Sequence, residues 1–188
     1  MDMKNLSIIR QTFANTVFTH KMQEIATENK GRKGCYIKIS NIILTGLVLA
    51  TLILQLIFSD KIYLTYIGAG ITIGEVIFLI IQLSFDFDKQ MIFHKNSALK
   101  YMQLRDKYRS LITDVMNDSV VGQSLISKRD LLQSEYQVIS DLSPQTGDEE
   151  YEEAQRRLNK RGVVSSEQFT WSDEEIDRFL PEELRLKK

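Results

Sequence analysis

Glu75 is the side chain whose position in this sequence most suggests chemistry. It lies in the run GAGITIGEVIF, residues 68–78, which contains no other charge. An acidic side chain at the middle of a membrane-spanning helix costs about 2.5–3.5 kcal/mol on insertion scales, so it normally faces protein or water. Three roles are open: a hydrogen bond with Thr45, Thr51 or Thr72, a ring of carboxylates that lines a pore, or a proton-relay site. The last two roles require several copies of the chain, because two spans enclose no water path.

The other reactive side chains form no recognisable catalytic or metal-binding pattern. His20 and His94, the only two histidines, fall on apolar stripes, and a metal or pH-sensing site would need further ligands that no spacing supplies. We expect two hydrogen-bonded imidazoles at the edge of a core. Cys35 is the single cysteine, which excludes an internal disulfide. Without a phosphate loop, a GxSxG elbow or an HExxH motif, we expect no enzymatic activity and no cofactor.

The charge balance argues against nucleic acid as a partner. The 188 residues carry 24 basic and 25 acidic side chains, for a formal net charge of -1. A general nucleic-acid-binding surface would show a clear basic excess. The charges are also unevenly distributed along the chain, because the segment around Glu75 contains almost none of them.

Two apolar segments surround Glu75 and predict a membrane hairpin. Residues 39–59 are uncharged, and residues 62–85 contain Glu75 as their single charge. At 1.5 Å per residue these segments form helices of roughly 32 and 36 Å, and the hydrocarbon core of a bilayer is about 30 Å thick. Asp60 and Lys61 leave room only for a tight turn, so both ends of the hairpin return to one side. The lipid bilayer is therefore the first expected partner.

Basic residues predict which side that is. Lysines and arginines are frequent before the first span and after the second, whereas the turn offers only Lys61. The positive-inside rule therefore predicts a multi-pass protein with both termini in the cytoplasm. Essentially all the polar mass of the chain then faces inward.

Small residues recur four apart on both predicted spans. Gly46 and Ala50 lie on the first span, and Gly70 and Gly74 lie on the second. This spacing lets helix backbones approach closely, which is how helices associate in lipid. In an antiparallel hairpin the two pairs lie at similar depth and can meet, and we also expect these surfaces to serve in oligomerisation. Ordinary glycine enrichment in membrane helices is the alternative.

Outside the hairpin, apolar residues at steps of three and four predict amphipathic helices that pack into a bundle. One stripe runs from Leu6 to His20 and is interrupted by Gly31 and Gly34. A second follows Phe85 on a long helix that we expect to continue the second span. A third covers residues 125–142. The bundle candidates on the long helix are His94, Ala98, Tyr101, Leu104, Arg105 and Tyr108.

The C-terminal part contains two further helix signals. DEEYEEAQRRLNKRG, residues 148–162, has leading acids and trailing bases, which suits an exposed helix that ends near Gly162. In FTWSDEEIDRFLPEELR, residues 169–185, Ser172 and Glu175 form a capping box. The apolar face of this short helix is expected to dock onto the bundle or onto a partner; it comprises Phe169, Trp171, Ile176, Phe179 and Leu180.

These patterns predict an all-α membrane protein with a two-helix transmembrane hairpin and a cytoplasmic helical bundle. The expected parts are an N-terminal cytoplasmic helix at 1–36, the hairpin at 37–85, cytoplasmic helices at 86–142 and a C-terminal part at 143–188. Within the hairpin, the spans cover about 37–59 and 62–85.

The two spans, their minimal turn and the following helix FHKNSALKYMQLRDKY together resemble the SLATT family. These are two-transmembrane effector domains found beside SMODS nucleotidyltransferases and SLOG sensor domains in prokaryotic conflict systems. The resemblance covers nearly the whole chain, from the first apolar stripe to the segment at 169–185. It implies an inner-membrane effector without enzymatic activity, which assembles or opens a pore when a nucleotide-based sensor triggers it and so halts an infected cell.

The sequence leaves the trigger and one alternative function open. No sensor domain is recognisable, so we expect the trigger to come from a partner or to bind the helical bundle directly. The leading hypothesis is an oligomeric pore-forming effector of an anti-phage system. The alternative is a non-conducting membrane scaffold that recruits a cytosolic partner through its C-terminal segment. A proton-coupled accessory subunit is a third, weaker option.

Overall fold

The computed structural model describes residues 2–158 and 170–186 of the chain. Regular structure within these ranges is helical, and two of the helices are long and apolar enough to cross a membrane. The prediction of an all-α protein is thereby confirmed. The helices are α1 (Met3–Ile57), α2 (Ile62–Ser84), α3 (Phe87–Met116), α4 (Gly122–Leu142), α5 (Asp148–Arg157) and α6 (Asp173–Asp177), followed by a short 3-10 turn at Glu182–Leu184.

The chain folds as two compact units. The hairpin unit is Glu28–Met91, and the bundle unit combines Met1–Thr27 with Ile92–Lys188. Helices α1 and α3 each contribute one part to each unit. Neither unit therefore corresponds to a single continuous piece of regular structure.

The hairpin unit buries almost none of its apolar surface. Within α2, Gly68 is the one buried residue. Leu56 and Leu83 are 83% and 84% exposed, and large aliphatic side chains are exposed along both helices. An exposed apolar surface of this extent is unusual for a protein in water. Helices that face lipid are expected to present such a surface, and each helix also satisfies its own backbone hydrogen bonds there.

Helix α1 is a single helix from Met3 to Ile57, so the predicted interruption at Gly31 and Gly34 is wrong. Both glycines lie inside the helix at close contacts within the hairpin unit. A Cβ atom on Gly31 would lie 3.0 Å from the Met91 sulfur, and one on Gly34 would lie 3.3 Å from a carboxylate oxygen of Asp88. A glycine inside a helix costs only about 1 kcal/mol, so it permits close packing without ending the helix.

The predicted continuity between the second span and the following helix is also wrong. Helix α2 ends at Ser84 and α3 begins at Phe87, with Phe85 and Asp86 between them. The Asp86 carboxylate accepts a hydrogen bond from the Lys89 backbone N–H at 2.9 Å, which satisfies a donor in the first turn of α3. Apolar periodicity does not reveal so short a break, because the break leaves the spacing of apolar residues on either side unchanged.

The bundle unit has a conventional hydrophobic core. Helices α3 and α4 run antiparallel and are joined across their surface by the ion pairs Lys107–Glu135 and Lys128–Asp114. The stripes predicted on the first part of α1 and on α3 and α4 all supply buried residues. Core residues on these helices include Leu6, Ile9, Phe13, Tyr101, Leu104, Tyr108, Ile112, Val115, Leu125, Leu132 and Ile139.

Helix α5 packs more closely than its charged sequence predicts. Ala154 is fully buried, and the Tyr151 ring meets the Phe18 ring edge-on at a centroid distance of 5.3 Å. The helix is therefore docked on α1 through one small face, while its charged side chains remain outside. It ends at Arg157, and the predicted end near Gly162 lies outside the described residues.

Candidate functional site

Glu75 lies in the seam between α1 and α2, where it is half-buried. The Thr45 hydroxyl donates a hydrogen bond to Oε1 of Glu75 at 2.5 Å. The hydroxyls of Thr51 and Thr72 instead donate to carbonyls of their own helices. Of the three threonines that the sequence offers, the structure thus selects Thr45.

The second carboxylate oxygen of Glu75 receives no hydrogen bond from the part of the chain that the structure describes. Its two oxygens can together accept about four hydrogen bonds when the group is ionised. One threonine hydroxyl therefore leaves most of this capacity unused. The carboxyl group can still interact with water or with a group from a second chain.

Gly68 allows the second polar contact of the hairpin, which the sequence analysis missed. The Gln55 side chain crosses the seam and donates from Nε2 to the Leu64 carbonyl at 3.0 Å. A Cβ atom on Gly68 would lie only 2.6 Å from that nitrogen. The sequence shows Gly68 two residues before Gly70. It does not show which of these glycines faces the partner helix, because that depends on the rotation of α2 about its axis.

The predicted meeting of small residues within the hairpin is wrong. Cβ atoms on Gly46, Gly70 and Gly74 would find no atom within 4 Å, and Ala50 is exposed. The face of α2 that contacts α1 is instead the one that carries Gly68, which lies against Gln55 and Thr51. The four predicted packing residues therefore form outward surfaces of the hairpin.

The bundle candidates separate into core and surface positions. Ala98, Tyr101, Leu104 and Tyr108 are buried, whereas Arg105 is partly exposed and pairs with neighbouring Asp106 at 3.0 Å. Burial raises the pKa of Tyr108 far above its ordinary value, and its hydroxyl has no hydrogen-bond partner among the described residues. Arg105 is thus a surface residue rather than part of the core.

The two histidines have separate structural surroundings. His94 is buried, and its Nδ1 lies 2.7 Å from Oε1 of Gln23, whose Nε2 donates to the Pro144 carbonyl at 3.0 Å. His20 lies 3.6 Å from the Glu24 carboxylate, and burial lowers its pKa below the ordinary value. Among the residues described, no group of three or more potential ligands is arranged to hold a metal ion.

The C-terminal segment docks on the first part of α1 through Trp171. Its backbone N–H donates to Oε1 of Gln11 at 2.9 Å, and its carbonyl accepts from Nε2 of the same side chain at 2.7 Å. The indole N–H donates to Asn15 at 2.7 Å. Ile176 and Leu180 are buried beside it and Phe179 packs edge-on against its ring, while Phe169 lies outside the described residues.

Arg10 is buried and forms an ion pair with Asp177, which the sequence did not predict. Its side chain is 1% exposed and donates to Asp177 at 2.6 Å and to the Leu184 carbonyl at 3.3 Å. The predicted capping box is present: the Ser172 hydroxyl accepts from the Glu175 N–H, and the Glu175 carboxylate accepts from the Ser172 N–H. The cap therefore stabilises the short helix that carries Asp177.

Comparison with known proteins assigns the chain to a family. A family model described as SMODS and SLOG-associating 2TM effector domain family 4 matches residues 6–175, which include both apolar segments and most of the bundle unit. The chain belongs to this SLATT family. No curated protein and no solved structure gives a significant match.

Family membership agrees with the physical features of the hairpin unit. The two membrane-length helices and the family's two-transmembrane description together indicate a membrane protein. The family is described by its association with SMODS and SLOG domains and as an effector domain. The resemblance drawn from the spans and the post-membrane helix is therefore confirmed.

Proposed function

We propose that this SLATT protein is the membrane effector of a prokaryotic nucleotide-signalling anti-phage system, and that it oligomerises to form a pore or disrupt the inner membrane when triggered. The observation that carries the proposal is the outward placement of Gly46, Gly70 and Gly74, with open space where a side chain would lie. Small residues on the outside of a membrane hairpin allow another helix to approach closely. A second copy of the hairpin is the natural occupant of that space.

Glu75 adds a polar group to this assembly. Its contact with Thr45 uses one oxygen, and the other is left for a neighbouring subunit or a water-filled lumen. Each additional copy brings one more such group, so a ring of hairpins gathers carboxylates at one depth of the membrane. Rings of acidic side chains are a common means by which cation channels select ions.

The bundle unit is proposed to lie in the cytoplasm with both termini. Basic residues on both sides of the hairpin favour this orientation under the positive-inside rule. The trigger then comes from a SMODS-type nucleotidyltransferase, a SLOG-type sensor or the nucleotide signal itself, acting on the bundle unit. The family description supports such a partner, because it names both domain types.

The test is the membrane potential of cells that express the chain together with its genomic neighbours, with and without a verified trigger. We expect depolarisation by the native chain and altered depolarisation by Glu75→Gln at equal membrane levels. Gly70→Leu and Gly74→Leu should abolish toxicity while still inserting. Ala69→Leu on the same helix, off the glycine stripe, is the matched control and should remain toxic.

Two outcomes would contradict the proposal. Unchanged killing by both leucine variants would exclude the small-residue surface as the assembly interface. A native chain that never depolarises cells under a verified trigger would exclude the pore. The scaffold alternative would then return, although it is less well supported because its apolar anchors Trp171, Ile176 and Leu180 are buried in the bundle unit.

A further inference from the structure

The contact face between α1 and α2 follows a regular repeat. Within residues 34–57 and 62–84, buried and half-buried positions recur at alternating steps of three and four, and every other position is exposed. These seam positions run from Gly34 to Gln55 on α1 and from Leu64 to Gln82 on α2. Two helices that pack along a common seam show this seven-residue spacing, so the hairpin has one inward face and a wide outward surface.

The seam collects the strongly polar side chains of the membrane segment. Residues 39–57 and 62–84 contain four amide or carboxyl side chains, and all four occupy seam positions: Asn41, Gln55, Glu75 and Gln82. At the outward positions of the same two ranges, the polar side chains are serine, threonine and tyrosine hydroxyls. The closed hairpin therefore presents no side-chain amide or carboxyl group on its outward surface.

Two of the four groups are buried without the hydrogen bonds that burial requires. Oδ1 of Asn41 and Oε1 of Gln82 are inaccessible and accept no hydrogen bond from any residue that the structure describes. A buried acceptor without a donor costs about 1–3 kcal/mol, because it has lost its hydrogen bonds to water. The closed seam therefore carries a penalty that contact with water would remove.

A ring of closed hairpins would give a poor path for ions. Its lumen would be lined by outward surfaces, which are apolar apart from their hydroxyls, and a narrow apolar lumen excludes water. Amide and carboxylate oxygens can bind a cation or its hydration water, but in the closed hairpin these groups lie at seam positions between the two helices. Conduction then requires a change within each hairpin as well as contact between hairpins.

We propose that this arrangement is the closed state of the hairpin, and that α1 and α2 separate along the seam so that Asn41, Glu75 and Gln82 line a path for hydrated cations. This opening rests on the pore of the proposed function and names the residues that line it. The oxygens that lack partners in the closed seam then accept hydrogen bonds from water. Assembly uses the outward glycines Gly70 and Gly74, whereas opening uses the seam.

A disulfide across the seam tests the separation. A Cβ atom on Gly68 would lie 3.6 Å from the Thr51 Cβ atom, and the Cβ atoms of a disulfide are roughly 3.5–4.5 Å apart. The double variant Thr51→Cys, Gly68→Cys can therefore be cross-linked once the end of the flexible Gln55 side chain moves aside. Cys35→Ser removes the only native cysteine and serves as the background.

The membrane potential is measured in cells that express this double variant with its genomic neighbours and a verified trigger. Oxidation with copper phenanthroline closes the disulfide, and dithiothreitol opens it again. We expect the oxidised chain to insert but not to depolarise the cells, and the reduced chain to depolarise them. Each single-cysteine variant is a matched control and should depolarise equally with and without the oxidant.

A pair of isoleucines on α2 gives a second measurement that needs no cross-link. Ile71 occupies a seam position, whereas Ile73 points outward and is 62% exposed. In the Cys35→Ser background, Ile71→Cys should react with a water-soluble maleimide on the order of tenfold faster after the trigger, because the reactive thiolate forms in water. Ile73→Cys should keep its low rate, since it faces lipid or a neighbouring hairpin in both states.

Several results would overturn the opening. Equal depolarisation by the fully cross-linked and the reduced double variant would contradict it and leave the pore in place. Faster labelling of Ile73→Cys instead of Ile71→Cys would mean that closed hairpins line the lumen. A native chain that never depolarises cells under a verified trigger would instead remove the pore, and the opening with it.

Discussion

The hairpin unit and the bundle unit are built from the same kind of element but are stabilised differently. In the bundle unit, large apolar side chains from four helices are buried against one another, and Phe13, Leu104 and Leu125 are almost inaccessible. In the hairpin unit comparable side chains are exposed, and the seam is marked by Gly68 and by two polar contacts. The hydrophobic effect accounts for the first arrangement, because burial removes apolar surface from water. It contributes little to the second, because lipid is as apolar as leucine.

This difference shows what each unit should tolerate. The bundle unit depends on the volume of its apolar side chains, so truncation should be costly there. The hairpin unit depends on close approach and on single hydrogen bonds, so added volume in the seam should be costly while truncation of lipid-facing side chains should not. Substitutions matched in chemistry but placed in different units test the distinction directly.

The largest expected effect is the loss of a core aromatic ring. Phe13→Ala should lower the free energy of unfolding of the bundle unit by about 3–5 kcal/mol, because it leaves a cavity beside α3 and α4. Hydrogen exchange of α3 and α4 amides in the full-length chain measures this change. Phe58→Ala, at an exposed site after α1, is the matched control and should leave those amides unaffected. Equal effects of the two substitutions would remove the distinction between the units.

The next effect concerns the buried ion pair of the bundle unit. Asp177→Asn should cost about 2–4 kcal/mol, because it leaves the Arg10 guanidinium buried without its close carboxylate. Denaturation followed by the fluorescence of Trp171, the only tryptophan, reports the release of this segment. Asp173→Asn removes a carboxylate that is 64% exposed and 3.5 Å from Arg10, so about 0–1 kcal/mol is expected. If Asp173→Asn proved the more costly, the assignment of the pair would be wrong.

A smaller effect is expected in the hairpin seam. Gly68→Ala should destabilise the closed hairpin by about 1–3 kcal/mol, because the new methyl group displaces Gln55 from the Leu64 carbonyl. Gly74→Ala adds the same methyl group in open space and should be neutral for a single hairpin. Fluorophores on Cys35 and on Ser84→Cys measure separation of the helices during detergent titration. Indistinguishable titrations for the two alanine variants would contradict the observed seam.

The smallest effect is the pH dependence that His20 contributes to the bundle unit. Burial is the main cause of its lowered pKa, with Arg105 and Lys21 acting in the same direction and Glu24 and Asp106 against it. The unfolded chain therefore binds more protons between the folded pKa and the ordinary value of about 6.5. Stability should fall as the pH drops through that window. Between pH 5 and 7, the free energy of unfolding of His20→Gln should depend less on pH than that of the native chain. An equal pH dependence in the two proteins would exclude this contribution.

Patterns within single stretches of the sequence predict much of this architecture. Apolar length predicts two membrane spans around Glu75, because crossing a bilayer is a property of one helix and the surrounding lipid. Periodicity predicts the buried stripes of the bundle unit for the same reason, since one helix determines which of its faces is apolar. The capping box of Ser172 and Glu175 is likewise complete within four residues.

What the sequence could not supply were the contacts between helices. The rotation of α2 against α1 decides that Gly68 enters the seam while Gly70 and Gly74 remain outside, and that Thr45 contacts Glu75. Three-dimensional packing also buries Arg10 against a segment more than 160 residues away in the chain. Such features depend on where two helices meet, whereas periodicity describes one helix at a time.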